Sequence, residues 1–321
     1  MRDLARLVLS LSLCLGAGTA KAGSIVAWGS NAHAEVSGAP TGTDFIAIAA
    51  GGWYNGYALR ANGSIVAWGD NTYGQVSNAP GGTGFKAIGA GNGAGYALRA
   101  DGSIAAWGNN ANGELGAPAG TGFIAIAGGG ADGYALRADG TVAAWGFDYS
   151  GSVSNPPAGS FKAIAGGNTD GYGLRADGTL VVWGSNSNGQ VSGAPTGSGL
   201  KAVAAGNAQA YAIRADGSIA AWGYDNLGKV STAPTGTGFK AIAAGWENGY
   251  AVRADGSIAA WGDNQFNQLT NAPTATGFAA VAGGVDVAFA LTATLPEPAS
   301  LALLAVAGAA LGARRRRPAR R

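Results

Sequence analysis

The sequence predicts an all-β fold, a seven-bladed β-propeller made of repeats of about 39 residues, a period within the range of known repeat architectures. The dipeptide Trp-Gly recurs at nearly even spacing, at Trp28, Trp68, Trp107, Trp145, Trp183, Trp222 and Trp261. In six repeats two short apolar runs are joined by Ala-Asp-Gly or Ala-Asn-Gly, and the tryptophan ends the second run. This pattern is typical of a β-hairpin. Short strands repeated at this period indicate a propeller, because each unit buries its faces against its neighbours.

One repeat predicts four strands in order. Residues 239–245 are predicted to form the innermost strand, and residues 249–253 the strand beside it. The third strand, residues 257–262, is apolar on both faces, which fits a sheet between two others. A fourth short strand is predicted at positions such as 74–77. Three residues after each repeat tryptophan stands Asn or Asp, whose side chain is expected to cap a turn.

The seventh blade is predicted to be split between the two ends of the repeat region. The repeats begin with a third strand near Ile25 and end with first and second strands near Leu291. Residues 23–38 and 278–292 are therefore expected to pair as one blade. Such a split blade closes the propeller and leaves no open sheet edge for aggregation.

The segment 1–22 reads as a secretory signal peptide. Arg2 and Arg6 precede an apolar run over residues 7–15, and the small residues Ala20 and Ala22 suit a cleavage site. The one cysteine, Cys14, lies in this segment, so no disulfide is expected in the mature chain. The propeller is predicted to span residues 23–295.

The segment 296–321 carries a short apolar stretch with charged flanks. Pro296, Glu297 and Pro298 lead into an apolar run over residues 299–313, which is marginal in length for spanning a bilayer. The arginines that follow favour a cytoplasmic end, and they are Arg314, Arg315, Arg316 and Arg317. This tail resembles the PEP-CTERM sorting signal of exported bacterial proteins. The resemblance implies transient membrane anchoring, processing by an exosortase and delivery to the cell surface or extracellular matrix. An ordinary anchor that stays in place is the alternative.

The repeat itself resembles a known family. The pattern Trp-Gly-x-Asn-x-x-Gly-Gln-Val, then Ala-Ile-Ala-Ala-Gly, then Tyr-Ala-Leu-Arg-x-Asp-Gly-Ser is similar to the regulator of chromosome condensation repeat. It looks closest to the compact bacterial versions, which include the propeller inhibitor of β-lactamases. The resemblance covers residues 23–292. It implies a seven-bladed propeller of a family that mostly binds other proteins.

Composition argues against several functions. Residues 23–295 hold 11 Lys and Arg against 16 Asp and Glu, so nucleic acid is not an expected partner. Catalysis and metal binding usually need clustered histidine, cysteine or carboxylate side chains. The chain has one histidine, His33, and the repeated Asp-Gly pairs lack neighbouring ligands. No enzyme activity, cofactor or metal is therefore expected.

Strand parity predicts two different faces. The loop face carries the two variable loops of each repeat, such as residues 246–248 and 263–268, and the turn face carries the Asp-Gly turns. The loop face holds ten acids and one base, Lys229. The turn face holds ten bases and is predicted either to face the membrane during sorting or to form local Arg–Asp pairs.

An interaction site is predicted on the loop face. Its aromatic residues concentrate on four blades that become neighbours when the ends of the chain meet, namely Trp53, Tyr54, Tyr73, Tyr224, Trp246 and Phe266, with His33 among them. Exposed aromatics rimmed by acids suit a basic protein partner. The alternatives are a carbohydrate-binding module for matrix exopolysaccharide, and rings that only cover their own blades. The protein is expected to act as a monomer.

Overall fold

The structure is a computed structural model that describes residues 22–293. Within this range the chain forms seven antiparallel sheets of three strands each. We number the sheets as blades 1 to 7 and give each in the order inner, central and outer strand. The strands are, in blade 1, β2 (Phe45–Ala50), β3 (Asn55–Arg60) and β4 (Ile65–Gly69); in blade 2, β5 (Phe85–Ala90), β6 (Ala94–Arg99) and β7 (Ile104–Gly108); in blade 3, β8 (Phe123–Gly128), β9 (Asp132–Arg137) and β10 (Val142–Gly146); in blade 4, β11 (Ala163–Gly166), β12 (Asp170–Leu174) and β13 (Leu180–Gly184); in blade 5, β14 (Ala202–Ala205), β15 (Gln209–Ile213) and β16 (Ile219–Gly223); in blade 6, β17 (Phe239–Ala244), β18 (Asn248–Arg253) and β19 (Ile258–Gly262); and in blade 7, β20 (Phe278–Gly283), β21 (Val287–Thr292) and β1 (Ile25–Gly29).

The blades place their core in the inner and central strands. In blade 3 every residue of β9 except Arg137 is buried, whereas in β10 only Trp145 is buried. The indole of Trp145 lies across the central strand at Gly133, where an added Cβ would stand 2.3 Å from the ring. A residue without a side chain is therefore needed at Gly133 to seat the indole.

The predicted hairpins are confirmed, with a turn of three residues between the central and outer strands. In blade 1 the Arg60 N–H donates to the Ser64 carbonyl, and the loop consists of residues 61–63. Only the glycine of this loop adopts a positive φ, +80° at Gly63, as in a type I turn followed by a left-handed residue. The Asn62 side chain accepts hydrogen bonds from the backbone and hydroxyl groups of Ser64.

The predicted fourth strand is wrong. Residues 74–77 form turns, because the side chain of Asn71 accepts the N–H groups of Val76 and Ser77 that a strand ladder would use. The same position of every repeat bonds to one or both N–H groups in this way, through Asn31, Asn71, Asn110, Asp148, Asn186, Asp225 and Asn264. The predicted capping role of these residues is confirmed.

Each repeat tryptophan joins its blade to the preceding one. Its indole N–H donates to a backbone carbonyl seven residues after the preceding tryptophan, at distances of 2.8–3.0 Å. The acceptors are the carbonyls of Glu35, Gln75, Glu114, Ser152, Gln190, Lys229 and Gln268. Each indole also meets a Tyr or Phe ring of the preceding blade edge-on, with centroids 5.0–6.2 Å apart. The prediction that these tryptophans pack between blades is confirmed.

The split seventh blade is also confirmed. Ile25 pairs with Leu291 in an antiparallel register that continues to Gly29 and Val287. Seven apolar clusters each combine residues of two neighbouring blades, and one of them joins blade 7 to blade 1. The contacts between blades thus run through all seven and return to the first. The described chain enters and leaves at the turn face, where Gly23 exchanges two backbone hydrogen bonds with Phe45.

Arginines stabilise the turn face mainly by stacking. The guanidinium groups lie over a phenylalanine at the start of the inner strand, or two residues before it in blade 4, 4.8–5.6 Å from the ring centre, in blades 1, 2, 3, 4 and 6. Of the described turn-face arginines, Arg60 alone also forms an ion pair, with Asp44 at 2.8 Å. The aspartates of the Asp-Gly turns instead bond within their own turns, as Asp101 does with Ser103. Local Arg–Asp pairing is therefore confirmed for one blade only.

A buried tyrosine at one position of the central strand provides a matched test. Tyr211 donates its hydroxyl to the Lys229 carbonyl at 2.6 Å, whereas the buried hydroxyl of Tyr250 has no hydrogen-bond partner among the described residues. Blade 7 carries Phe289 at the same position, so Phe fits the site. We expect Tyr211→Phe to lower the free energy of unfolding by about 1 kcal/mol, and Tyr250→Phe to leave it unchanged or raise it. Urea denaturation of both variants measures this difference, and equal losses would contradict the assigned hydrogen bonding.

Candidate functional site

The loop face brings the predicted aromatic residues to the surface in different degrees. Tyr73, Tyr224 and Phe266 are 46%, 47% and 41% exposed. His33 is also exposed, whereas Trp53, Tyr54 and Trp246 are half-buried. All seven predicted residues therefore have surface that a partner can contact.

Four of these residues form two ring pairs near the junction of blades 7 and 1. His33 of blade 7 stacks on Tyr54 of blade 1 with centroids 4.9 Å apart and an interplanar angle of 20°. Trp53 lies 5.0 Å from Tyr73, and its ring also covers Gly93 of blade 2. Tyr54 is an extra residue, because the loop from β2 to β3 has four residues where every other blade has three. The insertion places Tyr54 at a φ of +54°.

The other three aromatic residues lie apart from these pairs. Tyr224 covers the ammonium group of Lys229, 5.0 Å from the ring centre, and Phe266 donates its backbone N–H to the side chain of Gln268. Trp246 donates its backbone N–H to Gly284 and lines a cavity on the propeller axis. Four of the seven predicted residues thus form two ring pairs, and the other three rings lie separately from them.

The axial cavity has a volume of about 130 Å³ and lies among the ends of the inner strands. Its wall is mainly Ala and Gly from all seven blades, with Trp246 on one side. Side-chain amides cross its loop-face end, since Asn92 donates to Asn168 at 3.4 Å and Asn168 donates to Asn207 at 3.1 Å. Asn207 in turn donates to Glu247 at 3.4 Å. The cavity therefore combines an aromatic ring with uncharged hydrogen-bonding groups.

Sequence reasoning missed this amide chain. Asn92, Asn168 and Asn207 follow the inner strands of blades 2, 4 and 5 at the same position, where blades 1 and 3 have Gly52 and Gly130. A Cβ on Gly52 would stand 1.6 Å from the Asn92 side chain, so the glycines make room for the amides. The alternation of Asn and Gly at this position is the signal that aligned repeats would have revealed.

Some charged residues of the loop face are buried and others are accessible to solvent. Four of its ten acids are buried, namely Glu35, Glu114, Asp132 and Asp170. The predicted base, Lys229, is fully buried and binds Glu247 at 2.6 Å. The accessible part of the loop face is therefore acidic.

Two of the buried acids have shifted titration. Burial raises the pKa of Asp132 to about 7, although the Tyr134 hydroxyl donates to it at 2.7 Å. Burial likewise raises the pKa of Asp170 to about 6, against a hydrogen bond from the Tyr172 hydroxyl. The remaining oxygen of Asp132, Oδ1, has no hydrogen-bond partner among the described residues. Asn55 and Asn248 occupy the same position in blades 1 and 6, so the fold accepts an uncharged amide there.

Residues 22–293 contain no group of three or more His, Cys, Asp or Glu side chains placed to hold a metal ion. No helix in this range is long and apolar enough to cross a membrane. The predicted sorting-signal residues lie outside the described residues, namely Pro296, Glu297, Pro298 and Arg314 to Arg317, as do residues 1–21 of the predicted signal peptide.

The repeat sequence matches a known family of repeats in two of the seven units. The family model of the regulator of chromosome condensation (RCC1) repeat matches residues 45–75 and 239–268. Each match runs from the inner strand to the buried residue, Gln75 or Gln268, whose carbonyl binds the next tryptophan. A comparison with curated protein sequences found no match.

Solved structures agree on the fold. Prp20p from Saccharomyces cerevisiae has 17% sequence identity and a TM-score of 0.72, covering 90% of this chain and 95% of that chain. Yeast RCC1 (Prp20) bound to Kap60 has 16% identity and a TM-score of 0.72, covering 95% and 97%. The ectodomain of the Physcomitrella patens receptor kinase CR4 has 27% identity and a TM-score of 0.62, covering 74% and 67%. Together with the repeat match, these likenesses support an RCC1-like seven-bladed propeller.

The raised pKa of Asp132 predicts a stability that depends on pH. The folded-state pKa of about 7 lies above the unfolded value near 3.9, so the folded state binds the proton more tightly. The stabilising contribution of the protonated Asp132 carboxyl is therefore fully present below pH 4 and is lost as the pH rises through 7. We expect Asp132→Asn to raise the free energy of unfolding at pH 8 by roughly 2–4 kcal/mol and to change it little at pH 4.

Denaturation at both pH values checks this expectation. Asp139→Asn is the control, because hydrogen bonds from Thr141 lower the pKa of that exposed carboxyl. Its stability change should differ little between pH 4 and pH 8, because the pKa of this carboxyl is lowered rather than raised. An Asp132→Asn variant that gains nothing at pH 8 would show that the buried carboxyl is not destabilised by its charge.

Proposed function

We propose that this protein is an exported scaffold whose propeller binds another protein through the loop face. The observation that carries this proposal is the composition of that face. Aromatic side chains of blades 5, 6, 7 and 1 are exposed or half-buried there, and the accessible charged groups around them are acidic. Protein interfaces concentrate their binding energy in such aromatic anchors, and the acidic rim favours a basic partner.

The fold likeness supports the same class of function. Prp20p is described with binding properties to Gsp1p and histones, and yeast RCC1 is seen bound to Kap60. Propellers of this shape thus bind protein partners in those cases. Our proposal extends protein binding to this chain, with a different and unidentified partner, and takes the protein to act as a monomer.

The proposed location rests on the two ends of the sequence. Residues 1–22 have the composition of a secretory signal, and residues 296–321 resemble a PEP-CTERM tail. We propose that an exosortase-type enzyme processes this tail and that the propeller remains at the cell surface or in the extracellular matrix. Before processing, the tail holds the protein transiently at the membrane.

Binding of a matrix polysaccharide is the second candidate function. The axial cavity favours it, because a cavity of about 130 Å³ is comparable with one that holds a single benzene-sized ring. Trp246 offers an aromatic wall, and Asn92, Asn168 and Asn207 offer amides that suit sugar hydroxyl groups. The protein-binding proposal is preferred because most of the exposed aromatic surface lies outside this cavity.

We further propose that the chain is not an enzyme. The single histidine, His33, stacks on Tyr54, and its backbone N–H donates to Glu35. A nucleophile with a positioned base is the usual requirement for acyl transfer, and the sequence supplies no second histidine. Binding chemistry accounts better for the residues on the loop face.

The test is a double variant, Trp53→Ala with Trp246→Ala, in the full chain expressed in its native host. Truncating such anchors costs about 2 kcal/mol or more, roughly 30-fold in Kd. We expect retention in the native envelope fraction to fall by at least tenfold, with little change in Tm because both side chains are half-buried. Fractionation with immunodetection measures retention, and calorimetry of the purified chain measures Tm.

The matched control is Phe147→Ala with Tyr149→Ala. These two rings also stack on the loop face and are each 49% exposed, but they belong to blade 3, away from the proposed site. Retention of this control should equal that of the unmodified protein. A lower Tm with unchanged retention for the Trp53 and Trp246 variant would mean that these rings serve packing and would defeat the proposal. Loss of retention after protease treatment of the envelope identifies a protein partner rather than a polysaccharide.

A further inference from the structure

Four carboxylates lie on the loop face around blade 7, and we call them the acidic junction. Asp286 and Glu35 belong to blade 7, and Asp263 and Glu247 belong to blade 6. Partial burial raises the pKa of Asp286, and the negative charges of Asp263, Glu247 and Glu35 raise it further. Asp286 therefore lies close enough to the other three carboxylates to be repelled by each of them.

The surrounding side chains compensate this charge only in part. Lys229 is the one base on the described loop face, and its ammonium group binds Glu247 at 2.6 Å. A single amide group, Nε2 of Gln268, donates both to Asp263 at 3.3 Å and to Asp286 at 3.2 Å. One neutral amide thus serves two carboxylates, which leaves Asp286 without a cationic partner among the described side chains.

Glu35 supplies an independent observation, because it has a buried oxygen without a partner in the described range. Its side chain is fully buried, Oε2 accepts the His33 N–H at 2.7 Å, and Oε1 accepts nothing. The other glutamate at this repeat position, Glu114, has its Oε1 bound by two amides, from Asn109 and Asn112. A buried carboxylate oxygen without a donor is costly, so this position of blade 7 favours a donor from outside.

Gln at the same position shows how three other blades avoid this cost. Gln75 accepts the Tyr73 N–H through Oε1 and donates its amide to Asp70. Gln268 makes the equivalent bonds to Phe266 and Asp263. In blade 7 the amide donor is replaced by a second acceptor, so the site has gained a negative charge and lost a donor.

Aromatic rings lie beside these carboxylates. Tyr54 is half-buried, and the charges of Asp286 and Glu35 contribute, after burial, to its raised pKa. Its ring stacks on the exposed His33. The inserted Tyr54 of blade 1 thus meets the acidic junction of blade 7 only because the two ends of the chain form one blade.

We propose that this junction binds the guanidinium group of an arginine side chain, with Glu35 and Asp286 as acceptors and the Tyr54–His33 pair as a stacking surface. The inference rests on the proposed binding of a protein through the loop face and names the anchor that the partner presents. A guanidinium has five donors in a planar fork and stacks on aromatic rings, whereas an ammonium group is a compact point charge. A metal ion is a poorer fit, because the described residues provide no cluster with metal-ligand geometry.

The test uses the full chain and three short peptides, acetyl-Gly-Ser-X-Ser-Gly-amide with X as arginine, lysine or citrulline. We expect saturable binding of the arginine peptide, followed by NMR shifts of the Tyr54 and His33 rings, and at least tenfold weaker binding of the other two. Citrulline keeps the shape of arginine without its charge. Equal binding of the lysine or citrulline peptide would overturn the assignment of a guanidinium site.

Two variants locate the site. Glu35→Gln introduces the residue that Gln75, Gln190 and Gln268 already provide in other blades, so the fold accepts it. Loss of a charge-assisted hydrogen bond should weaken binding of the arginine peptide about tenfold. Asp148→Asn is the control, since it removes one charge from the same face in blade 3, at a position where five blades use Asn. Equal effects of the two variants, or no effect of Glu35→Gln, would overturn the proposal.

Failure here is distinguishable from failure of protein binding. If Glu35→Gln retains full envelope binding while Trp53→Ala with Trp246→Ala loses it, the loop face binds a protein without this arginine site. If neither variant changes envelope retention, protein binding through the loop face fails as well.

Discussion

One hydrogen bond per blade, from a tryptophan indole to the backbone carbonyl of a buried turn in the preceding blade, organises the structure. The seven bonds are uniform, at 2.8–3.0 Å, and each indole ring also packs edge-on against the preceding blade. The carbonyl acceptor is buried away from water, so the bond is costly to lose. The bond from Trp28 to Gln268 joins residues 240 apart and ties the first described blade segment to the sixth blade.

The same constraint decides where variation is tolerated. The residue that supplies the carbonyl must keep its backbone in place, while its side chain differs among Glu, Gln, Ser and Lys from blade to blade. These variable side chains lie directly beneath the loop face. Their variation places a buried lysine of blade 5 against Glu247 of blade 6, and a carboxylate with an oxygen that has no partner in the described range in blade 7. A uniform scaffold of inter-blade bonds thus carries a surface whose charge and hydrogen bonding differ around the ring.

The fold was largely predictable from the sequence because its period is exposed in single residues. Trp-Gly, Asp-Gly and the strand patterns repeat, and the pairing of Ile25 with Leu291 follows from the order of strands at the two ends. The fourth strand was mispredicted because a short polar segment can satisfy its N–H groups from a side chain, as Asn71 does. The sequence predicts which loops share a face, but the pairing of His33 with Tyr54 depends on a one-residue insertion and on contact across two blades. The free oxygen of Glu35 is a three-dimensional fact that no local pattern encodes.

Hydrogen exchange of the indole N–H groups, followed by NMR, tests the central role of the inter-blade bonds most directly. The chain has nine tryptophans, of which seven belong to the repeats and two, Trp53 and Trp246, lie half-buried on the loop face. The seven repeat indoles should exchange only through global unfolding and with closely similar protection, while Trp53 and Trp246 exchange much faster. Exchange of Trp28 at the rate of Trp53, with the other six repeat indoles protected, would contradict a propeller held together across its split blade.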